Sequence, residues 1–66
     1  MKNNIKIFRV TKGLSQEQLA KEVNVSRQTI NALEAAKYVP STVLALKLAQ
    51  VLEKQIEDLF ELEEGD

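Results

Sequence analysis

Cysteine and histidine are both absent from this 66-residue chain. Their absence removes disulfides, thiolate nucleophiles and the usual zinc sites together. Only two glycines occur, Gly13 and Gly65, and they form no glycine-rich phosphate loop. The carboxylates lie mostly on expected helix ends and in a tail, so nothing pairs a nucleophile with a base, and an enzyme is not expected. No stretch approaches the ~20 apolar residues that span a bilayer, and the amino terminus has no apolar run of the signal-peptide kind. A soluble, cytoplasmic protein without metal, cofactor or small-molecule substrate is therefore expected. Aromatic residues make up 5% of the chain, and no basic stripe is interleaved with them in the manner of an RNA-binding surface. What is present is a 44% hydrophobic content, enough for one domain over residues 1–66 with one modest core. A core of this size stabilises by only a few kcal/mol, so dimerisation would help.

The net charge of −1 hides a division. Residues 1–38 carry Lys2, Lys6, Arg9, Lys12, Lys21, Arg27 and Lys37 against Glu17, Glu22 and Glu34, a balance of +4. Residues 39–66 carry Lys47 and Lys54 against seven carboxylates, a balance of −5. One half is basic and the other acidic.

The chain is organised around Gln16 to Leu33, which reads as two short helices with a sharp break. Leu19, Ala20 and Val23 line one face of the first, and Ile30 and Leu33 line one face of the second. Asn24 tolerates the left-handed backbone and can end the first helix within a single residue. Ser15 with Gln18 fits a capping box, and Ser26 can cap the second helix. Val25 in the turn is apolar, as a residue tucked under both helices must be. Arg27, Gln28, Thr29 and Asn31 are left facing outward. The constellation is that of a helix-turn-helix.

On these residues, and on the runs KGLSQEQLAKEV, VSRQTINALE and KYVPS, the chain resembles the Xre-type, lambda-repressor-like family of DNA-binding domains from about Asn4 to Phe60. The resemblance implies an all-α, five-helix bundle. Asn3 or Asn4 can cap a first helix running to about Lys12, with Ile5 and Phe8 inward and Gly13 as its left-handed stop. The second and third helices are those of the helix-turn-helix. Ser41 caps a fourth helix from Thr42 to about Leu52, whose inward stripe is Leu44, Ala45, Leu48, Val51 and Leu52. Val43 and Leu46 fall off that stripe. A fifth helix from about Ile56 to Phe60 places Ile56 and Leu59 on the core. Phe60 and Leu62 alternate with Glu61 and Glu63, so the two termini can supply a short two-stranded β extension, with a frayed tail as the alternative. Two positions depart from the family. Ala36 stands where glycine usually gives the third helix a left-handed end, at a cost on the order of 1 kcal/mol if the geometry is kept. Glu53 replaces another frequent glycine, and there a tighter or more helical turn is expected.

For the site, the resemblance implies a recognition helix in the major groove. Arg27, Gln28 and Asn31 are side chains able to read base edges, with Arg suited to guanine and Gln or Asn to adenine. Ala32 offers no more than a methyl group. Phosphate contacts are expected from Gln16, at the start of the second helix, and from Lys37, with Arg9, Lys6 and Ser26 as weaker members, while Thr29 and Asn31 can meet either phosphate or base. Tyr38 is either a phosphate contact or a packing residue under the loop. The family also pairs an Arg at the position of Arg9 with a Glu at that of Glu34. One such helix covers few base pairs, so a homodimer on palindromic double-stranded DNA is expected, with Val43, Leu46, Phe60 and Leu62 as its interface and residues 60–66 as an acidic dimerisation element. A repressor is the default, since repression needs only occlusion. The alternative is an antitoxin or DNA-binding subunit whose main role is to hold another protein.

Overall fold

The computed structural model describes all residues 1–66. The order of elements is β1 (Lys2–Asn3), α1 (Ile5–Thr11), α2 (Gln16–Glu22), α3 (Arg27–Glu34), α4 (Thr42–Leu52), α5 (Ile56–Leu59) and β2 (Phe60–Glu61). The five helices and the β extension are those expected.

Helix starts follow the capping residues. Ser15 accepts the N–H of Gln18 at 3.0 Å while the Gln18 side chain accepts the N–H of Ser15 at 2.8 Å, a closed capping box. Ser26 accepts from Thr29 and Ser41 from Leu44, each at 3.2 Å. At the first helix the two candidate asparagines divide the task. Asn4 occupies the cap position of α1, but its side chain donates across the molecule to the carbonyl of Asp58 at 3.0 Å. The Asn3 oxygen takes the N–H of Ile5 instead, at 3.3 Å, while its amide nitrogen donates to the Leu33 carbonyl at 2.8 Å. These two asparagines tie the amino-terminal segment to α3 and α5.

Four helices end the same way. Gly13, Asn24, Ala36 and Glu53 all have positive φ, 79°, 61°, 57° and 57°. After each, the next N–H reaches back five residues: Leu14 to Arg9, Val25 to Ala20, Lys37 to Ala32 and Lys54 to Ala49, at 2.9–3.1 Å. This is the Schellman closure, which satisfies carbonyls the helix end leaves open. Ala36 thus keeps the left-handed geometry without glycine. Glu53 does the same, so the tighter, more helical turn expected there is not formed; its carboxylate instead meets Lys12 at 2.8 Å. That hydrogen bond with Lys12 holds the Glu53 carboxyl below its ordinary value.

The core comprises Ile5, Leu19, Ala20, Val23, Ile30, Leu33, Leu48, Leu52 and Leu59, with Phe8, Leu14, Val25, Leu44, Ala49, Val51 and Phe60 packed on it. α2 packs chiefly on α3. Small Ala20 permits that approach. Ile56 does not enter this core; it is half-buried on the rim of an open groove, because α5 has a single turn and Leu59 takes its inward position. The Lys54 ammonium lies 4.8 Å from the centre of the Phe8 ring, covering that side of the core.

The strands pair antiparallel, Lys2 with Glu61 and Asn3 with Phe60. The sequence alternation reaches Leu62 and Glu63, but pairing stops at Glu61, and Leu62 is 83% exposed. Beyond it the Met1 ammonium meets Glu63 at 3.0 Å and Asp66 at 3.2 Å. Hydrogen bonds to Glu63 and then Asp66 raise the ammonium above its ordinary value. The Asp66 carboxyl is lowered, first by the Glu63 N–H and then by the ammonium.

Candidate nucleic-acid interface

α3 carries two faces. Ile30 and Leu33 are wholly buried, and one helical turn relates Arg27 to Asn31 and Gln28 to Ala32 on the other side. Arg27, Gln28 and Asn31 are exposed, and Ala32 is half-buried. Arg27 enters no ion pair within the chain. The guanidinium is therefore a free bidentate donor on a helix fixed by the core beneath it.

The expected backbone-contacting residues fall around this face. Gln16 is the first residue of α2, half-buried, at the end where the helix amides point outward. Ser26 and Thr29 hold one another, their hydroxyls 3.0 Å apart at the start of α3. Lys37 follows the left-handed Ala36, its N–H bound to Ala32, so the side chain leaves from the far end of the same helix. Tyr38 is 39% exposed.

Arg9 is placed differently from the other basic residues. Only 8% exposed, it donates from Nε to Glu34 Oε2 at 2.6 Å, from the second terminal nitrogen to Glu34 Oε1 at 3.1 Å, and from the first to the Leu14 carbonyl at 2.8 Å. The fork joins α1 to the end of α3, and three of its five N–H groups are engaged. The Arg9–Glu34 pair that the resemblance implied is present.

The sequence did not disclose what lies on its other side. Gln16 donates from Nε2 to Glu34 Oε1 at 3.0 Å, and Asn31 donates from Nδ2 to Gln16 Oε1 at 3.4 Å. Glu34 thus joins Arg9 to Gln16 and Asn31 in one chain of hydrogen bonds. No buried side-chain nitrogen or oxygen is left without a partner.

Of the residues expected at a dimer interface, Leu46 and Phe60 line one apolar groove of about 260 Å³ with Met1, Pro40, Ala45 and Ile56. Val43 lines a separate cleft with Val23, Val25 and Leu44. Leu62 lies outside both.

The helix-turn-helix family model matches residues 5–59. Over its whole length the chain is 48% identical to an HTH-type transcriptional regulator of Methanocaldococcus jannaschii, covering all of that protein. It is also 48% identical to the HTH-type transcriptional regulator YgzD of Bacillus subtilis, over 97% of each chain. Among solved structures it resembles the restriction-modification controller protein C.AhdI of Aeromonas hydrophila, with 36% identity, 85% of each chain covered and a TM-score of 0.78. The N-terminal DNA-binding domain of SinR from Bacillus subtilis gives 27% identity and a TM-score of 0.78, with 94% of this chain and 90% of that one covered.

Proposed function

Because the chain belongs to the helix-turn-helix family of transcriptional regulators, we propose that it represses transcription by binding a palindromic operator as a homodimer, with α3 in the major groove. The observation that carries this reading is the exposed polar face of α3, Arg27, Gln28 and Asn31, set on a wholly buried Ile30 and Leu33. Side chains of these types on a rigid helix meet the requirement for direct readout, in which donors and acceptors are held at fixed spacing against base edges. Arg27 and Gln28 are the principal readers. Gln16, Ser26, Thr29, Lys37 and Tyr38 take phosphates and fix the register. Arg9 serves this site mainly from beneath, through Glu34.

Palindromy follows from the size of the surface. One helix with a few base contacts lacks regulatory specificity, and two copies about one DNA turn apart double it. The proposed interface is centred on Leu46 and Phe60, with Val43 and Leu62 to either side, and lies on the acidic half. This leaves the basic half free for DNA. The fold also accommodates the other reading, a subunit holding a second protein at the Leu46–Phe60 groove; copurification of that protein at fixed stoichiometry is its mark.

The test separates two kinds of contact. Arg27→Ala is expected to cost ~1–3 kcal/mol of binding and to relax preference at one base pair per half-site. Lys37→Ala is expected to weaken all sequences about equally and reduce the salt slope by about one. Quantitative binding to a panel of operator variants at several salt concentrations reads both. Uniform weakening by Arg27→Ala would remove it from the base-reading set.

A further inference from the structure

The chain of hydrogen bonds from Arg9 through Glu34 and Gln16 to Asn31 has a direction. Both Glu34 oxygens already accept from the Arg9 guanidinium, so this carboxylate is an acceptor only. Its side chain is 5% exposed and cannot turn away to water. Gln16 must therefore present its NH₂ group to Glu34, which leaves its Oε1 toward α3. Asn31 must in turn present an N–H to that oxygen. An amide that is free can rotate its oxygen and nitrogen ends; this one is set by a buried charge pair two residues away in the chain of contacts. We infer that the Arg9–Glu34–Gln16 relay fixes the orientation of the Asn31 amide, so that Asn31 offers its Oδ1 with its second N–H to the groove and selects adenine at the base pair it meets.

The selection follows from the base edges. Adenine presents an N6 amino donor beside the N7 acceptor, which matches an amide offering one acceptor and one donor. Thymine O4 and guanine O6/N7 are acceptors alone and can use only the Asn31 N–H, and the cytosine N4 amino group is a donor alone and can use only Oδ1, so adenine alone gains the paired contact. Gln16 is polarised by the same relay: its oxygen is occupied, and what remains is an N–H, the right group for a phosphate oxygen and the wrong one for a donor. Gln16 is thus a positioning residue for base readout as well as a phosphate contact, and Glu34 sets both without touching DNA. This inference rests on the operator-binding reading above.

Gln16 and Asn31 are the positions for the test, because they lie at the surface end of the relay and their replacement leaves the buried Arg9–Glu34 pair whole. The wild type, Gln16→Met, Asn31→Ala and the double variant are assayed against the selected operator carrying each of the four base pairs at every half-site position, with circular dichroism confirming the fold. Asn31→Ala is expected to reduce the preference for adenine at one position by about 5- to 150-fold, the range of a single bidentate contact. Gln16→Met is expected to reduce the preference at that same position while Asn31 is still present, and also to weaken all sequences through its own lost phosphate contact. The double variant should show no further loss of preference beyond that of Asn31→Ala. The inference is overturned if Gln16→Met weakens all sequences equally and keeps the adenine preference, or if Asn31→Ala changes no preference. A wild type that selects no sequence would overturn the operator-binding reading itself, and the relay's role with it.

Discussion

At the scale of the residue, the arrangement depends most on a single buried ion pair. Arg9 and Glu34 are both largely removed from water and hydrogen-bonded through a fork. Removing one partner of such a pair strands the other, and Glu34→Ala is expected to cost about 3–5 kcal/mol in urea unfolding. Lys12→Ala removes one side of the exposed Lys12–Glu53 contact and should leave the unfolding midpoint almost where it was. Equal losses from the two would contradict the distinction drawn from burial. The Arg9–Glu34 pair was legible in the sequence because the resemblance places an Arg and a Glu at those positions. The contacts of Glu34 with Gln16, and of Gln16 with Asn31, were not. They join residues 18 and 15 positions apart with no shared periodicity, and arise only when the start of α2 is packed against the end of α3.

At the scale of the element, helix starts were legible and helix ends were less so. Ser15, Ser26 and Ser41 announce α2, α3 and α4 because a hydroxyl before an apolar-periodic run can satisfy the open amides of a first turn. Gly13 and Asn24 announce ends because they tolerate positive φ. Ala36 and Glu53 announce no end by residue type, and only the resemblance marks their positions as ones where glycine is frequent, yet both hold the same left-handed closure. There the packing of α3 and α4 against the core and the two return hydrogen bonds outweigh a local preference of on the order of 1 kcal/mol. Ala36→Gly relieves that strain at an exposed position, and is expected to stabilise the fold by up to about 1 kcal/mol, read as a higher denaturation midpoint with unchanged slope. A destabilised variant would mean that the loop depends on the alanine side chain. The one-turn helix α5 and the two-residue strands lie below the length at which periodicity discriminates, which is why Ile56 was expected in the core and β2 was expected to run past Glu61.

At the scale of the whole molecule, the division of charge along the sequence is only partly a division in space, since Lys2 pairs with Glu61 in the sheet and Lys12 meets Glu53. Arg27 stands on α3 and Lys37 just beyond its end, while the groove of Leu46, Ile56 and Phe60 is formed by α4, α5 and β2 together with Met1. The phosphate contacts proposed for α3 and its flanks are electrostatic, so affinity for DNA should fall steeply with salt. Leu46→Asp places a charge in the groove of the proposed dimer without reaching the buried core, since Leu46 is already half-exposed. It is expected to shift the monomer–dimer balance toward monomer in sedimentation, with the fold intact by circular dichroism; an unchanged balance would place the interface elsewhere. In the proposed function two copies of this chain read a two-fold site through α3. Its most direct test is selection from a random duplex library at moderate salt, with the mass of the bound species measured in the same sample. A palindrome with half-sites about one helical turn apart, bound by two chains, is the predicted result. A folded protein that recovers no preferred sequence, or a site bound by one chain alone, would contradict it.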